Sequence, residues 1–159
     1  KIIGIAILGL LLWALWSIFL GPSASTVKIQ KMESDTISLV NDNGEKVRLD
    51  VKINESDLDY SKARDSLIKE NVFYSSTFYP TSSPTKIKNS EVSLEIALFD
   101  KKGKLVKIYN VPANTEKQCN PDQHYMYTLI APKGIFAEKG ISQENGTKLL
   151  PDTVNKKSE

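Results

Sequence analysis

The chain has 159 residues, 40% hydrophobic and 25% charged, with 21 Lys and Arg against 19 Asp and Glu for a net charge of +2. That balance excludes a strong field steering the protein onto nucleic acid, and a lone cysteine and a lone histidine exclude an intramolecular disulfide and a zinc site of the structural kind. Beyond a hydrophobic N-terminal segment roughly 130 residues remain, the size of one ordinary domain.

Residues Ile2 to Leu20 carry no charge and would span about 28 Å as a helix, close to the roughly 30 Å of a bilayer's hydrocarbon core. Gly21-Pro22 ends the run, since proline lacks the amide hydrogen and restricts its predecessor. This predicts a transmembrane anchor over residues 1–22, with Trp13 and Trp16 near the interface. A cleaved signal peptide is the rival reading, because Ser23-Ala24-Ser25 offers small residues for cleavage. Lys1 precedes the segment and the next charge is Lys28, so the positive-inside rule puts the folded part on the periplasmic or extracellular side of the cell membrane. The chain opens on Lys1 rather than Met, and we expect natural sequence to precede it.

Residues 23–26 read as a short linker to a domain over 27–150. Val27 and Ile29, then Ile37 and Leu39, alternate around Glu33-Ser34-Asp35 and suggest two strands or one bent strand. Asn41-Asp42-Asn43-Gly44 is a hairpin turn, followed by a strand in which Val47, Leu49, Val51 and Ile53 alternate with Arg48, Asp50 and Lys52. Asn54 to Asp57 reads as a turn and helix cap, and Tyr60 to Glu70 as a short amphipathic helix. Residues 75–90, rich in Ser, Thr and Pro, read as an exposed loop. Val92 to Leu98 and Leu105 to Val111 form a second hairpin about Asp100-Lys101-Lys102-Gly103. Farther on, Tyr125 to Ala131 is a short apolar run, Gly134 to Ala137 a strand or a helix end, and 151–159 a disordered tail. The order of elements predicts a β-rich α+β fold, an OB-type five-stranded barrel with one or more short helices.

The stretch Thr26 to Val40, followed by Gly44 and Val47-Arg48-Leu49, resembles the opening of staphylococcal nuclease-like (thermonuclease) domains. Asp100-Lys101-Lys102-Gly103-Lys104-Leu105 resembles that family's later Asp-x-Tyr-Gly-Arg turn, and Leu129-Ile130 with Gly134 to Ala137 resembles its terminal Leu-x-Gly-x-Ala stretch. The resemblance runs from about Val27 to Ala137. It implies phosphodiester hydrolysis with calcium held by carboxylates, a Glu that activates water and two Arg that stabilise phosphate charge.

Carried over residue by residue, the resemblance makes Asp35 a metal ligand and Arg48 the first catalytic arginine. Lys104 stands where the second arginine would be, without its bidentate fork. The family's Asp-x-Pro-Glu falls on Ile53 to Ser56, or, one residue on, supplies Asn54 as a second metal ligand and Asp57 as the base; neither register has the proline. Losing one charge-stabilising donor costs roughly 100- to 1000-fold in rate and losing a base roughly 100- to 10,000-fold. The resemblance therefore implies a catalytically impaired relative that binds or serves as a structural part of an envelope complex. The alternative is a calcium-dependent nuclease. Expected partners are the membrane, through residues 2–20, envelope proteins, and nucleic acid.

Two further sets stand apart. Cys119 and His124 lie close in sequence, but without a third ligand or oxyanion motif they read as a loop thiol and a surface imidazole. Tyr74, Phe78 and Tyr79 with Lys86 and Lys88 could stack bases and track phosphates, or simply pack a loop onto the barrel.

Overall fold

The protein was studied as a computed structural model, which describes residues 23–54, 60, 63, 65–88, 90–143 and 146–150. The hydrophobic segment 1–22, Asp57 and the tail 151–159 lie outside the described residues. Among the described residues no helix is long and apolar enough to cross a membrane.

The first element among the described residues is a helix, not the strand that the alternation of Val27 and Ile29 suggests. Helix α1 spans Ala24–Lys31 and is capped by Ser23, whose hydroxyl oxygen accepts from the Thr26 amide at 3.1 Å. Ser25, Thr26 and Ile29 bury one side of it, and Lys28 and Lys31 sit in its last turn, where cations suit the helix dipole. The expected linker at 23–26 is thus the start of this helix.

Strands β1 (Ser34–Val40) and β2 (Lys46–Ile53) form the first predicted hairpin, and β5 (Leu94–Phe99) and β6 (Leu105–Val111) the second. Both turns use one device. In each, the side-chain oxygen of the first residue accepts two backbone amides: Asn41 Oδ1 from Asn43 and Glu45, Asp100 Oδ1 from Lys102 and Lys104. The glycine three residues on takes a positive φ, 79° at Gly44 and 78° at Gly103, which only glycine adopts without strain.

Helix α2 (Asp65–Lys69) is shorter than predicted. The segment read as a loop is a strand, β3 (Val72–Thr81), followed by β4 (Thr85–Ile87). Then come β7 (Lys117–Cys119), β8 (Tyr125–Pro132), helix α3 (Ile135–Glu138) and β9 (Lys148–Leu150).

Seven strands make one sheet in the order β6-β5-β8-β3-β2-β1-β9, and β4 pairs with β7 in a separate ribbon. Neighbours are antiparallel except β2 and β3, which run parallel. The sheet curls into a half-barrel whose edges meet where Lys104 bridges Lys148 and the Leu149 amide donates to the Gly103 carbonyl at 2.7 Å. The β-rich class with few short helices is as predicted. The five-stranded OB-type layout is not what the strand order gives: the sheet has seven strands and a parallel β2–β3 pair.

Because side chains alternate across a strand, the sheet carries two cores. The inner one gathers Ile37, Leu39, Leu49, Val51, Tyr74, Phe99, Leu129 and Leu149, with Phe136 of α3. The outer one, over β3, β8 and β5, gathers Phe73, Leu94, Ile96, Leu98 and Ile130 beneath Ile29 of α1, Ile68 of α2, and Ile87 and Cys119 of the ribbon. Central strands are thus buried on both faces, whereas Lys46, Arg48 and Asp50 on β2 are exposed.

Candidate functional site

The register of the first hairpin decides what the nuclease-like residues can do. Asp35 pairs with Val51 and so shares a face with Ile37 and Leu39, which are in the inner core. Arg48 pairs with Ser38 and lies on the outer face beside Asp50, which accepts from the Thr36 hydroxyl at 2.8 Å. Directly opposed residues share a face and successive ones alternate, so Asp35 and Arg48 project on opposite sides of the sheet.

Lys104 is exposed at the junction with β9. Reaching it from Arg48 means crossing from β2 through β1 and β9, about 14 Å at roughly 4.8 Å per strand. Asn54 follows β2 three residues beyond Val51, about 10 Å along the chain from Asp35's partner. Calcium takes six to eight oxygens at roughly 2.3–2.6 Å, and among the described residues no group of three His, Cys, Asp or Glu is placed to hold a metal. The Asn54 amide donates to the Tyr74 carbonyl at 2.7 Å, while its Oδ1 is buried without a hydrogen-bond partner among the described residues. Of the predicted set, then, Asp35, Arg48, Asn54 and Lys104 do not converge, and Asp57 lies outside the described residues.

Cys119 is fully buried and burial pushes its thiol above its ordinary value, while His124 is exposed. They form no nucleophile and base pair.

The aromatic set splits differently. Tyr74 is buried, stacked on Tyr127 at 6.3 Å, and burial, with the nearby Tyr127, pushes its hydroxyl up to about 12. It faces the inner core and takes no part in any surface. Phe78 and Tyr79 are 88% and 74% exposed, the large hydrophobic side chains left outside among the described residues.

A bulge puts them there. Between the pairs Ser76 with Tyr127 and Thr81 with Tyr125, β3 uses more residues than β8, and the surplus leaves the sheet. The Thr77 hydroxyl donates to the Tyr79 carbonyl at 2.8 Å and so closes the bulge on itself. Phe78 and Tyr79 meet edge to face at 5.1 Å. At the foot, the Tyr125 hydroxyl donates to the Ser83 carbonyl at 2.9 Å and lies 3.3 Å from the Thr85 hydroxyl oxygen, fastening β4 beside the bulge. Lys86 on β4 and Lys88 just after it are exposed. In the sequence these residues stand out as a composition cluster within a segment that reads as a loop, because Ser75-Ser76-Thr77 and Pro80 mimic one.

The bulge and α1 leave the sheet at the same end. Strand β2 stops at Ile53, paired with Tyr74, and β3 continues past it to the bulge. At that end the Ile53 amide donates to the Glu33 carbonyl at 2.9 Å, and the Lys52 ammonium donates to the Ser34 hydroxyl oxygen at 2.8 Å, holding the turn between α1 and β1.

No protein-family model matches the chain, and no curated protein matches it. Two solved structures are similar. One is a candidate transcription regulator from Sinorhizobium meliloti 1021, with a TM-score of 0.61, 16% identity, and 75% of this chain and 94% of that one covered. The other is a protein of unknown function from Novosphingobium aromaticivorans DSM 12444, with a TM-score of 0.60, 15% identity, and 75% and 86% covered. Neither is described as a nuclease, and together with the seven-stranded sheet and the separated residues they correct the resemblance to thermonuclease domains and the OB-type assignment made with it. At these identities what the chain shares with both proteins is the fold.

Proposed function

We propose that this chain is a non-enzymatic binding domain tethered to a membrane by residues 2–20, with its folded part outside the cytoplasm, where a projecting aromatic bulge makes its contact. One observation carries the reading: the side chains held out for contact are the paired rings of Phe78 and Tyr79 on a hydrogen-bonded bulge. The residues first considered for chemistry are spread over two faces of the sheet. Rigid aromatic groups bring large contact area at little entropic cost, which is why they dominate binding surfaces.

The tether is tested by fractionating cells that express the full chain. It should stay in the membrane pellet through alkaline carbonate washing, and external protease applied to spheroplasts should degrade the folded part. Release by carbonate, or protection from protease, would contradict the reading.

A further inference from the structure

The bulge stands at the end of the sheet where the chain arrives from its N-terminus. The uncharged run ends at Leu20, and the cap of α1 is Ser23, so at no more than about 3.6 Å per residue the helix starts within roughly 11 Å of it. Helix α1 adds about 12 Å at 1.5 Å per residue, so the end of the sheet where α1 joins β1 stays within reach of the lipid. That end is also where β3 projects beyond β2.

We propose that Phe78 and Tyr79 insert into the interfacial layer of the bilayer, with Lys86 and Lys88 against lipid phosphates. The inference rests on the tethered reading above and names what its contact surface touches. Tyrosine and other amphipathic rings favour the headgroup level, and flanking lysines complement phosphate charge. A projecting tip of two rings is small beside the roughly 1,000 Å² that a stable protein interface buries; a fluid lipid surface closes around a convex tip without needing a matching shape. Single-stranded nucleic acid also stacks on exposed rings, but it is held mainly by a basic groove, and the net charge of +2 supplies no such field.

The experiment uses the full chain in phospholipid bilayer discs. An environment-sensitive dye is attached at Phe78→Cys or, separately, at Tyr79→Cys, and for comparison at Lys46→Cys, exposed at the opposite end of β2. Cys119 is fully buried and should not label. Nitroxide lipids spin-labelled near the headgroup should quench the dye at 78 and 79 at least threefold more than at 46, with emission shifted to the blue. Trp13 and Trp16, the chain's two tryptophans, report the tether independently through the same quenchers. Quenched tryptophans with equal quenching at 78, 79 and 46 would overturn the lipid contact and leave the tether standing. Unquenched tryptophans would overturn both. A response of the dye at 78 to added oligonucleotide but not to nitroxide lipid would assign the rings to nucleic acid and overturn the proposal.

Discussion

The Asp42 carboxylate, in the turn between β1 and β2, accepts the hydroxyl of Thr147 at 2.7 Å across 105 residues of sequence, and the Ser142 hydroxyl donates to its other oxygen. With the Asp42 amide donating to the Gly140 carbonyl at 3.0 Å, this bolts the first hairpin to the segment that carries β9. Burial raises the Asp42 carboxyl, but the hydrogen bonds from Ser142 and Thr147 outweigh it and hold the group below its ordinary value.

An acid-sensitive contribution to stability follows. A carboxyl whose folded-state value is depressed stabilises the fold above its unfolded value and loses that contribution as pH falls through the folded one. Thr147→Val should cost about 1.5–3 kcal/mol near neutral pH, the range for a hydrogen bond to a charged group. In urea melts, its deficit relative to wild type should shrink as pH drops below about 4. A deficit constant down to pH 2 would mean that the carboxylate does not hold this contact.

The two turn glycines should be costly to replace and their neighbours cheap. Gly103→Ala places a side chain at positive φ and should lose about 1–2 kcal/mol. Lys102→Ala, at an exposed position whose backbone amide alone is used by the turn, should stay within about 0.5 kcal/mol. Thermal melts of the two variants measure the contrast.

Tyr60 offers the reverse case. It is 3% exposed and meets Phe73 edge to face at 5.4 Å, yet its hydroxyl is buried without a hydrogen-bond partner among the described residues, and burial raises its pKa well above the ordinary phenol value. Leaving a buried polar group unsatisfied costs about 1–3 kcal/mol, so Tyr60→Phe should match or exceed wild-type stability. Tyr60→Ala should lose about 3–5 kcal/mol, as for other large aromatic truncations in cores. A Tyr60→Phe loss above about 1 kcal/mol would place a hydrogen-bond partner on that hydroxyl.

Asp35 and Arg48 should behave as strangers. Projecting from opposite faces, they should show a coupling below about 0.5 kcal/mol in a double-mutant cycle to Ala followed by denaturant unfolding. A larger coupling would bring back the shared cleft that the strand register rules out.

Much of the fold was legible where one signal sufficed. Strict alternation from Val47 to Ile53, and the spacing of Val92, Leu94, Ile96 and Leu98, with Asn41-x-x-Gly44 and Asp100-x-x-Gly103 turns, specified both hairpins locally. What was missed depends on distant partners. Strands β4, β7 and β9 are three residues each, and only their pairing with one another or with β1 makes them strands. For α1, the i, i+2 spacing of Val27 and Ile29 speaks for a strand, and the helix is set instead by the Ser23 cap and by burial at Ser25, Thr26 and Ile29, which share one helical face. The contact surface was half legible: aromatics and lysines were visible in the sequence, but which ring is buried follows from the β3 register, which takes Tyr74 inward and then breaks to expel Phe78 and Tyr79.

The central claim is that the bulge is the protein's point of contact with the surface to which it is tethered. Amide hydrogen exchange of the full chain, compared between phospholipid bilayer discs and a mild detergent, tests it without substitution or label. Exchange at Thr77, Phe78 and Tyr79 should slow at least several-fold in the discs, while Asp42, Asn43 and Gly44 at the far end of the first hairpin exchange alike in both. Equal rates at all six amides would contradict the account.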